Sequence, residues 1–371
     1  MTDREPYLSV VAVSRNDEHG GNTLERTQIF VDSFLDQCAR HELPAELIIV
    51  EWNPPGERAP LAEVISWANS NEWVDCRVLT VPYERHLMFD YARRLPLFQM
   101  IGKNVGIRRA RGEFVLATNI DILMSEELFG VLASRKLDPE RMYRCDRFDV
   151  NSDIKNGSLD EKLDYAWTNV IRKNVRTTPT EMAKLQQEDA PIEEVLGLGT
   201  ESGYFDREEL GEVTALVTRK DAPYEVIHLC ACGDFTLLHR DGWARIGGYA
   251  EFELYSLHLD SIGVHSAHWA GLSETWLAPP AVCFHVEHGV GSGYTEGAAT
   301  PLYERLARQG IGWFDYEEVW PLLERMAREK QALEFNGPGW GMVDIALDET
   351  RCDAAGVVRQ EVAKELRAPW D

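Results

Sequence analysis

Residues 103–121 read Lys-Asn-Val-Gly-Ile-Arg-Arg-Ala-Arg-Gly-Glu-Phe-Val-Leu-Ala-Thr-Asn-Ile-Asp, a basic helical run that passes through Gly112 into a short apolar strand and stops on Asn119 and Asp121. Arg108, Arg109 and Arg111 suit the negative end of a helix, and Gly112 offers the positive φ that closes one. Phe114, Val115 and Leu116 then make a buried strand. Ligands of open α/β sheets gather at the carboxyl ends of the strands, so Asn119 and Asp121 are placed to face a crevice. The alternative is that Asp121 N-caps a helix announced by Ser125, Glu126 and Glu127.

The same alternation extends to either side. Strands are predicted at residues 8–13, 47–50, 77–81 and 113–118, with helices at 24–41, 61–69 and 97–109 between them. That order specifies an α/β protein, a Rossmann-type, mostly parallel sheet flanked by helices. Neither a glycine-rich dinucleotide fingerprint nor a P-loop follows the first strand. After a strand at 142–150, residues 151–224 turn polar, with helical promise near 159–172 and 180–187. This stretch reads as a lid or substrate-facing insertion, or else as an inert surface elaboration. Strands return at 225–229 and 236–239, residues 301–335 are amphipathic and helical, and the rest reads as an acidic tail with one more helix. The expected organisation is a body over 1–300 carrying the 151–224 insertion, and a C-terminal helical extension over 301–371.

With 371 residues, 44 % of them hydrophobic, the chain can bury a substantial core. A formal charge of −24 repels polyphosphates and anionic bilayers, so neither nucleic acid nor a membrane is an expected partner. A small anionic substrate would need a local positive site, for which Arg15, Lys103, Arg108 and a divalent cation are the candidates. Seven scattered cysteines fit a reducing cytosol, and Cys230-Ala231-Cys232 alone is a weak metal signal. Residues 1–7 lack the basic and apolar regions of a signal peptide, and the run at 8–13 is too short to span a bilayer; a cytoplasmic setting is expected.

Seven of the ten histidines lie between His228 and His288, in the half that could complete a site around Asp121. Cys283-Phe284-His285-Val286-Glu287-His288 reads as a strand running into a glycine-rich loop at 289–293. Regular pleating puts His285 and His288 on opposite faces, which argues against one ion held by both. One of them can reach Asp121, and the loop-end position favours His288; a histidine hydrogen-bonded in the core is the competing reading. Asp260 precedes a helix over 261–269, where the dipole favours its ionised form and a hydroxyl proton could be accepted. It could equally be an N-cap.

Taken in order, these segments resemble the GT-A-fold glycosyltransferases, especially family-two-like enzymes, over most of residues 8–288. Four stretches carry the resemblance: the first strand with Ser14-Arg15-Asn16-Asp17; Leu47-Ile48-Ile49-Val50-Glu51; Lys103-Asn104-Val105-Gly106 through Asp121; and Arg240-Asp241-Gly242-Trp243 through Gly247-Gly248-Tyr249 to His258-Leu259-Asp260. The resemblance implies a nucleoside-diphosphate sugar donor, an acceptor hydroxyl on a sugar or glycan precursor, and a Mn2+ or Mg2+ ion. It implies Asp121 and His288 as metal ligands, with His285 as second choice, and Asp260 as the base of an inverting transfer. Ser14, Arg15, Asn16, Glu51, Lys103, Asn104, Arg108, Asn119, Asp121 and Asp234 are the implied donor-binding positions. Two departures stand out: Asn119-Ile120-Asp121 carries an amide where the family motif starts with a carboxylate, and Leu259-Asp260 replaces Glu-Asp. The rival functions are a metal-dependent hydrolase using His265, His268, His285 and His288, which lacks a helical His-Glu-x-x-His motif, and a non-catalytic sugar-binding or scaffold protein.

Overall fold

A computed structural model of the chain describes residues 5–17, 20–175, 227, 229–288 and 299–360. Strands β1 (Leu8–Ser14), β2 (Ala45–Trp52), β3 (Val74–Val81) and β4 (Phe114–Ala117) pair in parallel in the order β3-β2-β1-β4. Every residue of β1 and β2 is buried, as strands covered on both faces must be. Their side chains alternate: Leu8, Val10 and Ala12 join one core cluster, Val11 and Val13 the other.

A helix covers each face. From α1 (Thr23–Arg40), Phe30, Phe34 and Leu35 fill one cluster, each burial contributing about 1.5–3 kcal/mol. On the opposite face lies α4 (Gln99–Arg108), with Met100, Ile101, Val105 and Ile107 in the other cluster. Gly102 and Gly106, one turn apart, let α4 sit on the sheet: a Cβ at Gly102 would stand 2.8 Å from Val13 Cγ1, and one at Gly106 would clash with Val11. Gly112 works in the same way and not through a positive φ, contrary to the sequence expectation; a Cβ there would lie 2.6 Å from the Ser9 backbone nitrogen. Only single turns form at α2 (Leu61–Val64), where a longer helix was predicted, and at α3 (Tyr83–His86).

Beyond β4 the sheet is mostly antiparallel. Strands β5 (Ile122–Met124), β6 (Arg141–Val150), β7 (Val170–Asn174), β8 (Thr236–His239) and β9 (Ser273–Val286) extend it, and the order becomes β3-β2-β1-β4-β8-β6-β9-β5 with β7 paired to β6. Here only β6 and β9 run parallel. Helix α5 (Glu126–Ala133) follows β5, and α6 (Leu159–Thr168) buries Leu159, Leu163 and Ala166 against Phe148 and Phe284. The near end of the predicted insertion thus gives Ile154 and one face of α6 to the core, while residues 151–153 and 155–158 are exposed. The helix predicted at 180–187 lies outside the described residues, as does most of the strand predicted at 225–229.

Helices α7 (Arg240–Ile246), α8 (Leu259–Trp269), α9 (Ala299–Gln309) and α10 (Tyr316–Glu329) complete the helical layers. The chain then departs from the expected helical extension. Strands β10 (Asp348–Asp353) and β11 (Gly356–Gln360) form a hairpin, with β10 antiparallel on the free edge of β3. No helix among the described residues is long and apolar enough to cross a membrane.

Candidate functional site

The site lies at the carboxyl ends of β1, β2 and β4, where β5 and β9 also meet. Past Ala117 the chain is held by Thr118, whose N–H donates to Val11 O at 2.9 Å and whose hydroxyl donates to Asp234 O at 2.6 Å. Asp121 does not cap α5, because Ser125 does so by accepting the Leu128 N–H. Instead β5 starts directly after Asp121, and Ile122 pairs with His285 of β9. On its other side His285 pairs with Asp149 of β6. Register therefore sets His285 beside Asp149 and next to the residue that follows Asp121.

Asp121 is 6 % exposed, and one of its oxygens is crowded. Oδ2 lies 2.9 Å from Arg26 Nη1, 3.0 Å from His288 Nε2 and 3.8 Å from His285 Nε2, while Oδ1 is buried with no hydrogen-bond partner among the described residues. Burial works to raise the Asp121 pKa, but His285, His288 and Arg26 outweigh it and hold the carboxyl well below the usual range. For His285 burial works downward, and Asp121 foremost among its partners lifts it above the ordinary imidazole value. The pleating argument against a shared histidine pair fails because β9 ends at Val286; His288 lies beyond it, and the two ring centroids are 5.3 Å apart.

Ligand atoms of Asp121, His285 and His288 fall within 4.8 Å of one another, which suits one divalent ion with mixed oxygen and nitrogen ligands. The orphaned Asp121 Oδ1 fits that use. Asp149, His285 and Glu287 form a second such group, but Asp149 already accepts from Arg172 Nε at 2.6 Å and lies 2.8 Å from Arg147 Nε. Two guanidiniums oppose a cation there. Asp149 Oδ1 stands 3.4 Å from His285 Nδ1 and is placed to orient the imidazole, as a carboxylate behind a metal-binding histidine does.

A second carboxylate meets the amide of the motif in space. Asn119 Nδ2 donates to Asp234 Oδ1 at 2.5 Å, and Arg147 Nη1 donates to Asp234 Oδ2 at 2.5 Å. Gln99, first residue of α4, donates to Asn119 Oδ1 at 2.7 Å and accepts from the Ser256 hydroxyl at 3.0 Å. Lys103 is fully buried and donates to Gly233 O at 2.5 Å. Burial lowers its pKa, opposed by Asp234, then Asp260, with Asp121 further down the order. Asp260 sits in the first turn of α8, accepts the Ser261 N–H at 2.9 Å, and comes so close to Gly233 that a Cβ there would lie 2.8 Å from its Oδ2.

The other sequence candidates divide. Ser14 and Asn16 end β1 with Ser14 Oγ and Asn16 Oδ1 buried and lacking hydrogen-bond partners among the described residues; Arg15 donates to Asn53 O at 2.7 Å and pairs with Asp17. Glu51 ends β2, buried, with Oε1 accepting the Leu61 N–H at 2.9 Å. Two candidates belong elsewhere. Asn104 spends its amide on Tyr249 O, Glu251 Oε1 and the Tyr249 N–H, clamping a loop. Arg108, at the far end of α4, stacks over Trp340 at 4.9 Å. Because α4 rises about 1.5 Å per residue, nine residues separate Arg108 from Gln99 by about 13 Å. His265 and His268 lie on α8 outside both metal-capable groups, and burial takes His265 down to about 3, so the four-histidine hydrolase centre does not assemble among the described residues.

Sequence reasoning missed Arg26, Asp149, Arg147, Gln99 and Gly233. Arg147 and Asp149 lie in a strand that also carries Arg144 and Asp146, so charge alone did not single them out; Arg26 resembled any polar residue of an amphipathic helix.

No protein-family profile matches the chain, and no curated protein matches it in sequence. Among solved structures it is similar to the crystal structure of GalNAc-T7 with UDP, GalNAc and Mn2+, with a TM-score of 0.45 and 14 % identity over 92 % of this chain. The match spans 57 % of that protein's length, and a likeness of this degree assigns neither activity nor substrate.

Proposed function

We propose that this protein is a divalent-cation-dependent glycosyltransferase of GT-A-like build, moving a sugar from a nucleoside-diphosphate donor to an acceptor hydroxyl with inversion. The observation that carries the reading is the convergence of Asp121, His285 and His288 at the carboxyl ends of the parallel strands, with Oδ1 of Asp121 buried and unbonded among the described residues. Those three residues would hold the ion, and two imidazoles favour Mn2+ over Mg2+. A bound divalent ion supplies Lewis-acid neutralisation of the charge that develops on a departing nucleoside diphosphate.

The chain's own groups fit the remaining tasks. Ser14 Oγ at the end of β1 and Asn16 Oδ1 just past it, which have no hydrogen-bond partner among the described residues, would meet the polar edge of a nucleoside. Asp234, fixed by Asn119 and Arg147, is rigid enough to position a sugar hydroxyl. Asp260, in the first turn of α8 and accepting the Ser261 N–H, would take the acceptor's proton as the acceptor oxygen bonds the anomeric carbon and the bond to the diphosphate breaks. Insertion 151–224 would supply acceptor contacts.

The test is a panel of nucleotide-sugars, with Mn2+ and with chelator, read by thermal stabilisation and by release of nucleoside diphosphate. One donor stabilising the protein and being turned over only with metal is the expected result. Binding of a sugar nucleotide with no turnover of any donor by any acceptor would give the site to a sugar-binding or scaffold protein.

A further inference from the structure

We propose that Arg26 is the resident counter-cation of Asp121 and passes to the donor's diphosphate when a divalent ion takes its place. The inference rests on the glycosyltransferase reading, which gives Arg26 no role. Arg26 lies in the first turn of α1, 5 % exposed, and its Nη1 donates to Asp121 Oδ2 at 2.9 Å. Its Nε and Nη2 both donate to Gly21 O, at 3.2 and 3.1 Å. The loop carrying Gly21 also packs on the other partner of Asp121, since a Cβ on Gly20 would stand 2.5 Å from His288 Nδ1. Arginine, loop and histidine are thus one unit gathered on a single carboxylate oxygen.

A guanidinium and a divalent ion compete for Oδ2 and repel each other. The ion therefore weakens the Arg26 contact, and a buried guanidinium pushed off a carboxylate is stabilised by another anion nearby. A diphosphate is that anion, because its paired oxygens match the planar fork of arginine. Arg26 would then make the metal and the donor mutually dependent: metal binding is opposed while the diphosphate is absent and favoured once it arrives, and linkage makes the effect reciprocal.

Mn2+ alone, followed by electron paramagnetic resonance of the free ion, tests the first half; titration of pyrophosphate as its Mn2+ complex tests the second. In Arg26→Met, Mn2+ should bind about tenfold tighter than in the wild type while the pyrophosphate complex binds about tenfold weaker. Arg26→Lys, which keeps a cation of shorter reach, should fall between and covers the case in which Arg26→Met does not fold. Equal or weaker Mn2+ binding by the variants overturns the proposal and leaves the metal site standing. Tighter Mn2+ with unchanged pyrophosphate also overturns it, reducing Arg26 to a static counter-ion. Absence of Mn2+ binding in the wild type itself rejects the metal reading, a different failure.

Discussion

Asp260 and Asp121 are both carboxylates beside Lys103, and what separates their roles is the company each keeps. Asp121 faces Arg26 and two histidines, so its charge is already committed to cations. Asp260 accepts the Ser261 N–H and lies against Cys232 and the Cα of Gly233. Asp260→Asn keeps the shape and the hydrogen bond while removing the proposed base. Transfer should fall by about 10²–10⁴-fold with donor affinity unchanged, as loss of a general base does. Near-normal turnover in a steady-state assay would move the base elsewhere. At this scale Asp121 and His288 were legible because each follows an apolar run that ends at a strand's carboxyl end. Arg26 was not, since a residue whose partner lies 95 positions away leaves no local pattern.

At the level of elements, the ends of the parallel strands opposite the site are tied by Glu46 of β2. It is fully buried and accepts from Ser9 Oγ at 2.7 Å, Arg77 Nη2 at 2.8 Å, Arg111 Nε at 2.9 Å and the Arg111 N–H. These join β1, β2, β3 and the segment after α4. Burial pushes the Glu46 pKa up, but Arg77, Arg111 and the hydrogen bonds win and hold it at about 2. A folded pKa below the unfolded one stabilises the fold above the ordinary glutamate range, and that contribution fades as pH falls toward 2. The gap between wild type and Glu46→Gln in urea unfolding should therefore be about 3 kcal/mol at pH 7 and less than half of that at pH 3. A gap of constant size would show that the carboxylate's charge is not what ties the strands. The sequence suggests a helix-end cation at Arg111, yet its partner is a sheet carboxylate.

Across the whole molecule, the parallel half was readable because strands buried on both faces must be continuous apolar runs, as at residues 8–13 and 47–50. The C-terminal hairpin was not, because β10 (Asp348–Asp353), paired between β3 and β11 at the rim of the sheet, buries only Thr350 and Cys352 and reads as acidic tail. The hairpin itself is held by the pairing of β10 with β3, and the segment that leads into it, residues 340–345, is anchored on the basic end of α4, the stretch that first suggested a phosphate site. Arg109 donates to the carbonyl oxygens of Gly341 at 2.6 Å, Met342 at 2.7 Å and Ile345 at 3.0 Å, and burial draws its pKa down to about 10. Arg108 stacks on Trp340 beside it. Arg109→Met would keep most of the buried volume and strand three carbonyls, costing about 3 kcal/mol, since hydrogen bonds to a charged group contribute about 1.5–3 kcal/mol each and water recovers part of the loss. The loss should appear as a lower urea midpoint, with faster amide exchange over residues 340–353 and a hairpin that no longer covers β3. Mn2+ affinity should stay unchanged, because the α4 end that carries Arg109 is remote from Asp121. If instead metal affinity fell along with stability, the two ends of α4 would be coupled, and the basic helix end would serve the site after all.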